Sequence, residues 1–181
     1  GRLKVALIGM MQSGKSTLIS AVSGRTPAPM GSPEINEVIV PVPDERLDWL
    51  TNLYKPQKAV HATVDCLDLP GLNFLDEHGR AAARKLFGQI RTVDLFVAVV
   101  RAFENDAVAA YRNRIQPGKD LEELRTEFLL ADLELVTTRI ERLEKQVHKP
   151  TRTVARDKEE LALHGKLQTI LESERSEERR V

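Results

Sequence analysis

The sequence has little of what several common protein classes require. Its single cysteine, Cys66, excludes an internal disulfide, and it lies in an apolar run where we expect a small buried side chain. Aromatic residues make up only 4% of the chain, which argues against a surface that stacks nucleic-acid bases. The formal net charge is +0, so no overall field attracts DNA or a membrane. No apolar run approaches the roughly 20 residues that span a bilayer, and no signal peptide is visible. We therefore expect a cytoplasmic protein.

The most informative stretch lies near the N-terminus, where GMMQSGKST fits the pattern G-x-x-x-x-G-K-S/T. A polyphosphate needs several donors that converge from one side. A glycine loop that opens onto a helix N-terminus turns backbone N–H groups inward to supply them. Lys15 adds a positive charge for the β- and γ-phosphates, and the Ser16 hydroxyl is placed to ligate Mg²⁺. The residues predicted to bind the phosphates are Gly9, Gln12, Ser13, Gly14, Lys15, Ser16 and Thr17.

The residues around this loop favour a phosphate site over an ordinary glycine–serine turn. Leu3 to Ile8 reads as a buried strand. Leu18 to Val22 gives a helical apolar face, and Gly24 is a natural helix stop. The order strand, glycine loop, helix is the one that the motif requires.

A second motif, DLPGL, follows at the end of a strand predicted over Ala62 to Leu69. Asp68 fits a carboxylate that holds the Mg²⁺ sphere. Gly71, three residues later, fits a backbone N–H that meets the terminal phosphate, because no side chain intervenes. A D-x-x-G sequence alone is common at strand ends, but its position downstream of GKST favours the nucleotide-binding interpretation.

The other elements complete an α/β pattern. Two further strands are predicted, Glu37 to Val42 and Asp94 to Val100, and the last is so apolar that we expect both of its faces to be covered. Asp44 is expected to cap a helix that contains Trp49, which we expect to be partly packed. Two segments fit switches: Arg25 to Asn36, which offers Ser32, and Asn73 to Arg91, which contains His78.

From Asp120 onward the sequence predicts two helices. Apolar residues recur every three or four positions up to Val147, and Lys149-Pro150-Thr151 interrupts the pattern. A second helix is predicted over Asp157 to Glu172, with Leu163, Leu167 and Ile170 as its seam, and Ser173 to Val181 is expected to fray. We expect residues 1–115 to form a phosphate-binding domain and residues 116–181 to form an antiparallel coiled-coil hairpin.

Five segments together resemble the YchF family, the Obg-like ATPases among the translation-factor P-loop GTPases. They are GMMQSGKST, VPVPDERLDWLTNLYKP at 40–56, DLPGL at 68–72, VDLFVAVVRAFEND at 93–106 and TEFLLADLELVTTRIERLEK at 126–145. The resemblance implies a Ras-like nucleotide domain with an inserted coiled-coil hairpin and a C-terminal TGS domain. It also implies hydrolysis of ATP or GTP with Mg²⁺ and association with ribosomes.

Several positions depart from the family pattern. Met11-Gln12-Ser13 replaces the usual P-N-V before Gly14, and Ser32 stands where the family has a Mg²⁺-contacting threonine. Leu72 follows the D-x-x-G glycine, as is normal in this family, but the family's compensating histidine is matched by Ala110. The base-reading motif, the last strands of the sheet and the TGS domain have no counterpart here. The chain is therefore expected to be a fragment with an incomplete sheet.

Three interpretations of function follow. The first is a nucleoside triphosphatase that acts as a switch, with His78 as the nearby titratable candidate to orient water; an exposed histidine without that role is the favoured explanation of this position. The second is a non-catalytic nucleotide-binding module whose hairpin docks a partner, which Ala110 favours. The third, a small-molecule kinase, is disfavoured because no arginine-rich lid or acceptor pocket is apparent.

Overall fold

The computed structural model describes residues 2–24, 34–148 and 154–180. Most of the predicted first switch, including Ser32, lies outside these described residues, as does the Lys149-Pro150-Thr151 interruption. The chain divides into two compact units, one that ends at Asp120 and one that begins at Leu121.

The first unit is built on a four-stranded sheet. Its strands are β1 (Leu3–Gly9), β2 (Asn36–Pro41), β3 (Thr63–Asp68) and β4 (Leu95–Val99), in the order β2-β3-β1-β4. β1 pairs in parallel with both β3 and β4, and β2 pairs antiparallel with β3. The carboxyl ends of the three parallel strands therefore meet at one edge, which is where α/β sheets bind ligands.

The core lies around β1. Val5 and Leu7 point to one face and pack with Ile19 of the first helix, while Ala6 and Ile8 point to the other face and are also buried. Because successive side chains of a strand alternate between faces, this pattern marks β1 as a strand covered on both sides. The central strand thus fixes the position of the loop that follows it.

Five α-helices and one short turn of 3-10 helix, η1, accompany the sheet in the described residues. Asp44 caps the second helix as predicted, accepting hydrogen bonds from the N–H groups of Arg46 and Leu47 at 3.0 and 3.3 Å. Gly24 ends the first helix with φ of 68°. The elements are α1 (Lys15–Ser23), α2 (Glu45–Tyr54), α3 (Glu77–Gln89), η1 (Tyr111–Asn113), α4 (Pro117–Val147) and α5 (Val154–Arg180).

Two expectations about packing in the first unit are wrong. The apolar composition of β4 predicted two covered faces, but Leu95, Phe96 and Val97 are exposed; β4 ends the sheet order, as expected from the missing last strands of the family. Trp49 was expected to be partly packed, but 64% of it is exposed. It lies on α2, a helix without a buried residue.

The second unit is a hairpin of α4 and α5. The helices are antiparallel, because Thr137 contacts Gln168 while the later residue Arg139 contacts the earlier residue Glu160. The predicted helix boundaries are wrong at three points. α4 begins at Pro117 rather than Asp120, since proline suits a first helical turn. α5 begins at Val154 rather than Asp157, and it continues to Arg180 rather than fraying after Glu172.

The predicted seam of the second helix is also wrong. Leu163, Leu167 and Ile170 are 58%, 41% and 55% exposed. The face of α5 that meets α4 instead carries Glu160 and Gln168. The same face also carries Leu161 and Leu171, which are half-buried, so the inward-facing leucines of α5 are not the ones that the predicted seam contains.

Candidate functional site

The loop between β1 and α1 has a backbone that requires glycine. Gly14 has φ of 89°, in the left-handed region, and Gln12 adopts the same region with φ of 64°. A Cβ on Gly9 would lie 2.7 Å from the Val99 carbonyl oxygen and 2.8 Å from Ser13 Oγ. Glycine is therefore required at position 9 because the backbone lies close to β4, and at position 14 because of its backbone angles.

The DLPGL segment docks directly against this loop. Met11 N–H donates to the Leu72 carbonyl at 2.8 Å, and Leu72 N–H donates to the Gly9 carbonyl at 2.8 Å. A Cβ on Gly71 would lie 2.8 Å from Met11 Cα, so a side chain at position 71 would separate the two segments. The two predicted motifs, far apart in sequence, form one surface.

Lys15 and Asp68 form the charged centre of the site. Lys15 starts α1 and Asp68 ends β3, and Lys15 Nζ donates to Asp68 Oδ1. Each residue is only 5% exposed. The pair places a cation and a carboxylate side by side at the carboxyl ends of the three parallel strands, a combination that suits an anionic ligand with a metal ion.

The hydroxyl groups of the loop differ in their surroundings. Ser13 is 6% exposed, and its Oγ has no hydrogen-bond partner within the described part of the chain. Ser16 and Thr17 lie in the first turn of α1 and are exposed. A buried, unpaired hydroxyl is unfavourable unless a further group satisfies it, which fits a loop built to receive a polar ligand.

His78 is not brought into this centre by any contact found among residues 2–24, 34–148 and 154–180. It lies exposed in the first turn of α3, two residues after the N-cap residue Asp76. Asp76 accepts a hydrogen bond from Gly79 N–H at 2.7 Å. Gly71 is likewise exposed, beside Met11. The roles of both residues stay predictions.

Arg101 was not predicted as a residue of the site. This residue follows β4, is 4% exposed, and donates a hydrogen bond to the Gln12 carbonyl at 3.4 Å. The available signal was its position, since a charged residue directly after an apolar parallel strand lies at the ligand-binding edge. Tyr111 was also missed: its hydroxyl accepts a hydrogen bond from Phe74 N–H, just beyond DLPGL, at 3.3 Å.

Comparisons with known proteins agree with this geometry. Residues 4–156 match the family described as 50S ribosome-binding GTPase. The chain is 33% identical over 174 residues to the ribosome-binding ATPase YchF of Pasteurella multocida, covering 94% of this chain and 47% of that protein. It is 37% identical over 149 residues to Obg-like ATPase 1 of Oryza sativa subsp. japonica, covering 80% of this chain and 38% of that protein.

A solved structure, that of the Schizosaccharomyces pombe YchF GTPase, superposes with a TM-score of 0.65 at 28% identity. The match covers 94% of this chain and 47% of that one, so the chain spans about half the length of the relatives it matches. Among the described residues, no helix is long and apolar enough to cross a membrane. The family match, the similar relatives and the docked motifs show that the chain belongs to the 50S ribosome-binding GTPase family and resembles the YchF and Obg-like ATPases.

Proposed function

We propose that this chain binds a nucleoside triphosphate, ATP or GTP, with Mg²⁺ and hydrolyses it slowly as a switch that works with ribosomes in the cytoplasm. The observation that carries the proposal is the buried contact between Lys15 and Asp68 beneath a glycine loop. Phosphoryl transfer asks a protein mainly for positioning and charge stabilisation, and these residues supply both. The ribosomal part rests on the relatives, which are described as ribosome-binding ATPases.

The residues present fit a magnesium ion held jointly with a nucleotide. Within the described ranges, no cluster of three or more His, Cys, Asp and Glu side chains could hold a metal by itself. Mg²⁺ commonly takes one or two protein oxygens and completes its shell with phosphate oxygens and water. Ser16 Oγ and the Asp68 carboxylate would provide those protein oxygens, and the ion would neutralise charge on the phosphates.

Slow turnover follows from what surrounds the site. Leu72 occupies the position after Gly71, is 1% exposed, and has no group that can orient water. Ala110 stands where the resembling family has a histidine. His78 is the nearby titratable candidate, and it lies exposed in the first turn of α3.

Ala110, in place of the histidine of the resembling family, also supports a second candidate function. If no residue activates water, the nucleotide serves only as a structural ligand and the hairpin of α4 and α5 docks a partner. Both candidates need Lys15 and the loop, so nucleotide binding alone cannot distinguish them. A measurement of nucleotide hydrolysis distinguishes them.

Single-turnover hydrolysis of ATP and GTP by the full-length protein, with and without ribosomes, tests the proposal. We expect slow basal hydrolysis that ribosomes accelerate and that His78→Ala reduces if that side chain orients water. No hydrolysis under either condition, with binding intact, would favour the docking module.

Asp68→Ala is expected to remove the Mg²⁺ dependence of triphosphate binding. A variant that still responds to Mg²⁺ like the parent protein would show that Asp68 does not bind the metal.

A further inference from the structure

Arg101 is buried in a setting unusual for an arginine. Its guanidinium donates four hydrogen bonds, all to backbone carbonyl oxygens. Three acceptors belong to its own segment: Phe103 at 3.1 Å, Asn105 at 3.4 Å and Val108 at 2.8 Å. The fourth is the Gln12 carbonyl in the glycine loop, 89 positions away in sequence. A buried charge is costly to maintain unless its hydrogen bonds are satisfied, so these contacts explain how Arg101 is tolerated.

The segment that begins at Arg101 also lies against the glycine loop. The Arg101 guanidinium lies over the Phe103 ring, 4.6 Å from its centroid. A Cβ on Gly14 would lie 3.1 Å from that ring. Residues 101–108, which we name the strap, therefore contact the loop at two points, the Gln12 carbonyl and Gly14.

The contact with Gln12 fixes the orientation of one peptide plane. The Gln12 carbonyl accepts from Arg101, and the Ser13 N–H of the same peptide donates to the Met10 carbonyl at 3.3 Å. Because a peptide unit is planar, hydrogen bonds at both ends prevent it from flipping. Gln12 on one side of this plane is left-handed, and Gly14 follows soon after it. A left-handed non-glycine residue persists only where its surroundings hold it.

We propose that Arg101 is a positioning residue that holds the Gln12–Ser13 peptide in the orientation needed for phosphate binding. It acts on the phosphates through the loop backbone and has no part in reading the base. This inference rests on the proposed nucleotide binding. The competing explanation is that Arg101 only folds the strap, since three of its four acceptors lie there. That explanation predicts lost stability without a specific loss of affinity.

The test compares Arg101→Met and Arg101→Lys with the parent full-length protein. Calorimetric titrations with Mg²⁺ use ATP, GTP and inorganic tripolyphosphate, and hydrogen exchange is measured for residues 9–17. Lysine carries its donors on one atom and cannot span the Gln12 and Val108 carbonyls together, so it restores only part of the effect. Phe87→Leu, which alters a buried side chain of α3, serves as the control for general destabilisation.

For Arg101→Met we expect Kd to rise about ten- to one-hundred-fold, the scale of one hydrogen bond from a charged group. The rise should be the same for ATP, GTP and tripolyphosphate, with unchanged binding stoichiometry and faster exchange at Ser13. Arg101→Lys should fall between Arg101→Met and the parent, and Phe87→Leu should leave Kd unchanged. Parent-like Kd values in a folded Arg101→Met protein would overturn the inference, as would a loss of stoichiometry shared with Phe87→Leu. Absence of triphosphate binding in the parent protein would instead overturn the proposed function.

Discussion

At the scale of single residues, the site combines three charged side chains that are almost fully buried. Lys15, Asp68 and Arg101 are 5%, 5% and 4% exposed. Lys15 and Asp68 pair with each other, whereas Arg101 is satisfied by carbonyl oxygens. Charges that are desolvated and held in place interact more strongly with an incoming anion than charges on flexible surface side chains. The same burial makes each of them sensitive to loss of its partner.

Lys15→Ala should affect affinity and stability together. We expect triphosphate binding to weaken by about 1.5–3 kcal/mol, or roughly ten- to two-hundred-fold. The free energy of unfolding should fall by about 3–5 kcal/mol, because the buried Asp68 carboxylate loses its cation. Calorimetry and denaturant unfolding measure the two effects separately.

The double variant Lys15→Ala/Asp68→Ala separates these effects further. It removes the unpaired carboxylate, so it should recover most of the stability while triphosphate affinity stays low. Parent-like affinity in either variant would show that Lys15 does not bind phosphate.

Cys66 should be a slow nucleophile in the folded protein. Burial raises the pKa of its thiol, and the neighbouring Asp65 carboxylate raises the pKa further. Because the thiolate is the reactive form, alkylation by iodoacetamide at pH 8 should be slow and should accelerate on unfolding. Its rate should climb about tenfold per pH unit between pH 7 and 9. A rate that levels off by pH 8 would contradict a raised pKa.

At the scale of elements, strands and the strand–loop–helix unit were predictable because their signals are local. β1 is a short apolar run beside a glycine motif, and Asp44 caps α2 by accepting from two backbone N–H groups in the first turn of the helix. The face by which α5 meets α4 was not predictable, because α5 has apolar residues on two sides and its spacing does not say which side is covered. Glu160 and Gln168 contact Arg139 and Thr137, whereas Leu163, Leu167 and Ile170 are exposed.

The ion pair of Arg139 with Glu160 should contribute modestly to the hairpin. The side chains are 2.7 Å apart and about one-third exposed, so Arg139→Ala should lower the free energy of unfolding by about 0.5–1 kcal/mol at low salt. The effect should shrink as salt increases. Arg142→Ala, at an exposed position of the same helix, is the matched control and should change stability by less. Equal effects for the two variants, measured by thermal unfolding followed by circular dichroism, would show that the pair contributes nothing.

At the scale of the whole molecule, the site could be predicted in part. Lys15 belongs to the glycine-loop motif and Asp68 to DLPGL, and both motifs predict contacts with the same nucleotide and metal ion. This is why two residues 53 positions apart were assigned to one site. Tyr111 carries no such motif signal, and Arg101 carries only its position after an apolar strand. Their roles depend on how the segment after β4 folds back over the loop, a long-range arrangement that no local pattern encodes. The edge position of β4 was predictable from the missing last strands of the family, whereas the apolar composition of the strand suggested two covered faces.

The open edge of β4 should promote association of the 181-residue chain. Leu95, Phe96 and Val97 are exposed there, and an apolar edge strand is a template for further pairing. We expect sedimentation to show concentration-dependent self-association that Val97→Lys reduces. Val22→Lys, at an exposed valine of α1 away from the sheet edge, should leave association unchanged. A chain that stays monomeric at high concentration would contradict this expectation.

The position of β1 in the sheet also sets the order of events during synthesis. Val5 of β1 pairs with Leu95 of β4, a separation of 90 residues, although β1 is made first. At roughly 5–20 residues per second, a ribosome takes about 5–20 s to produce that stretch. β1, which is covered on both faces in the folded protein, therefore emerges before either of its neighbours, and β4 is the later of the two. Until β4 is made, the edge of β1 that pairs with β4 stays open in the nascent chain.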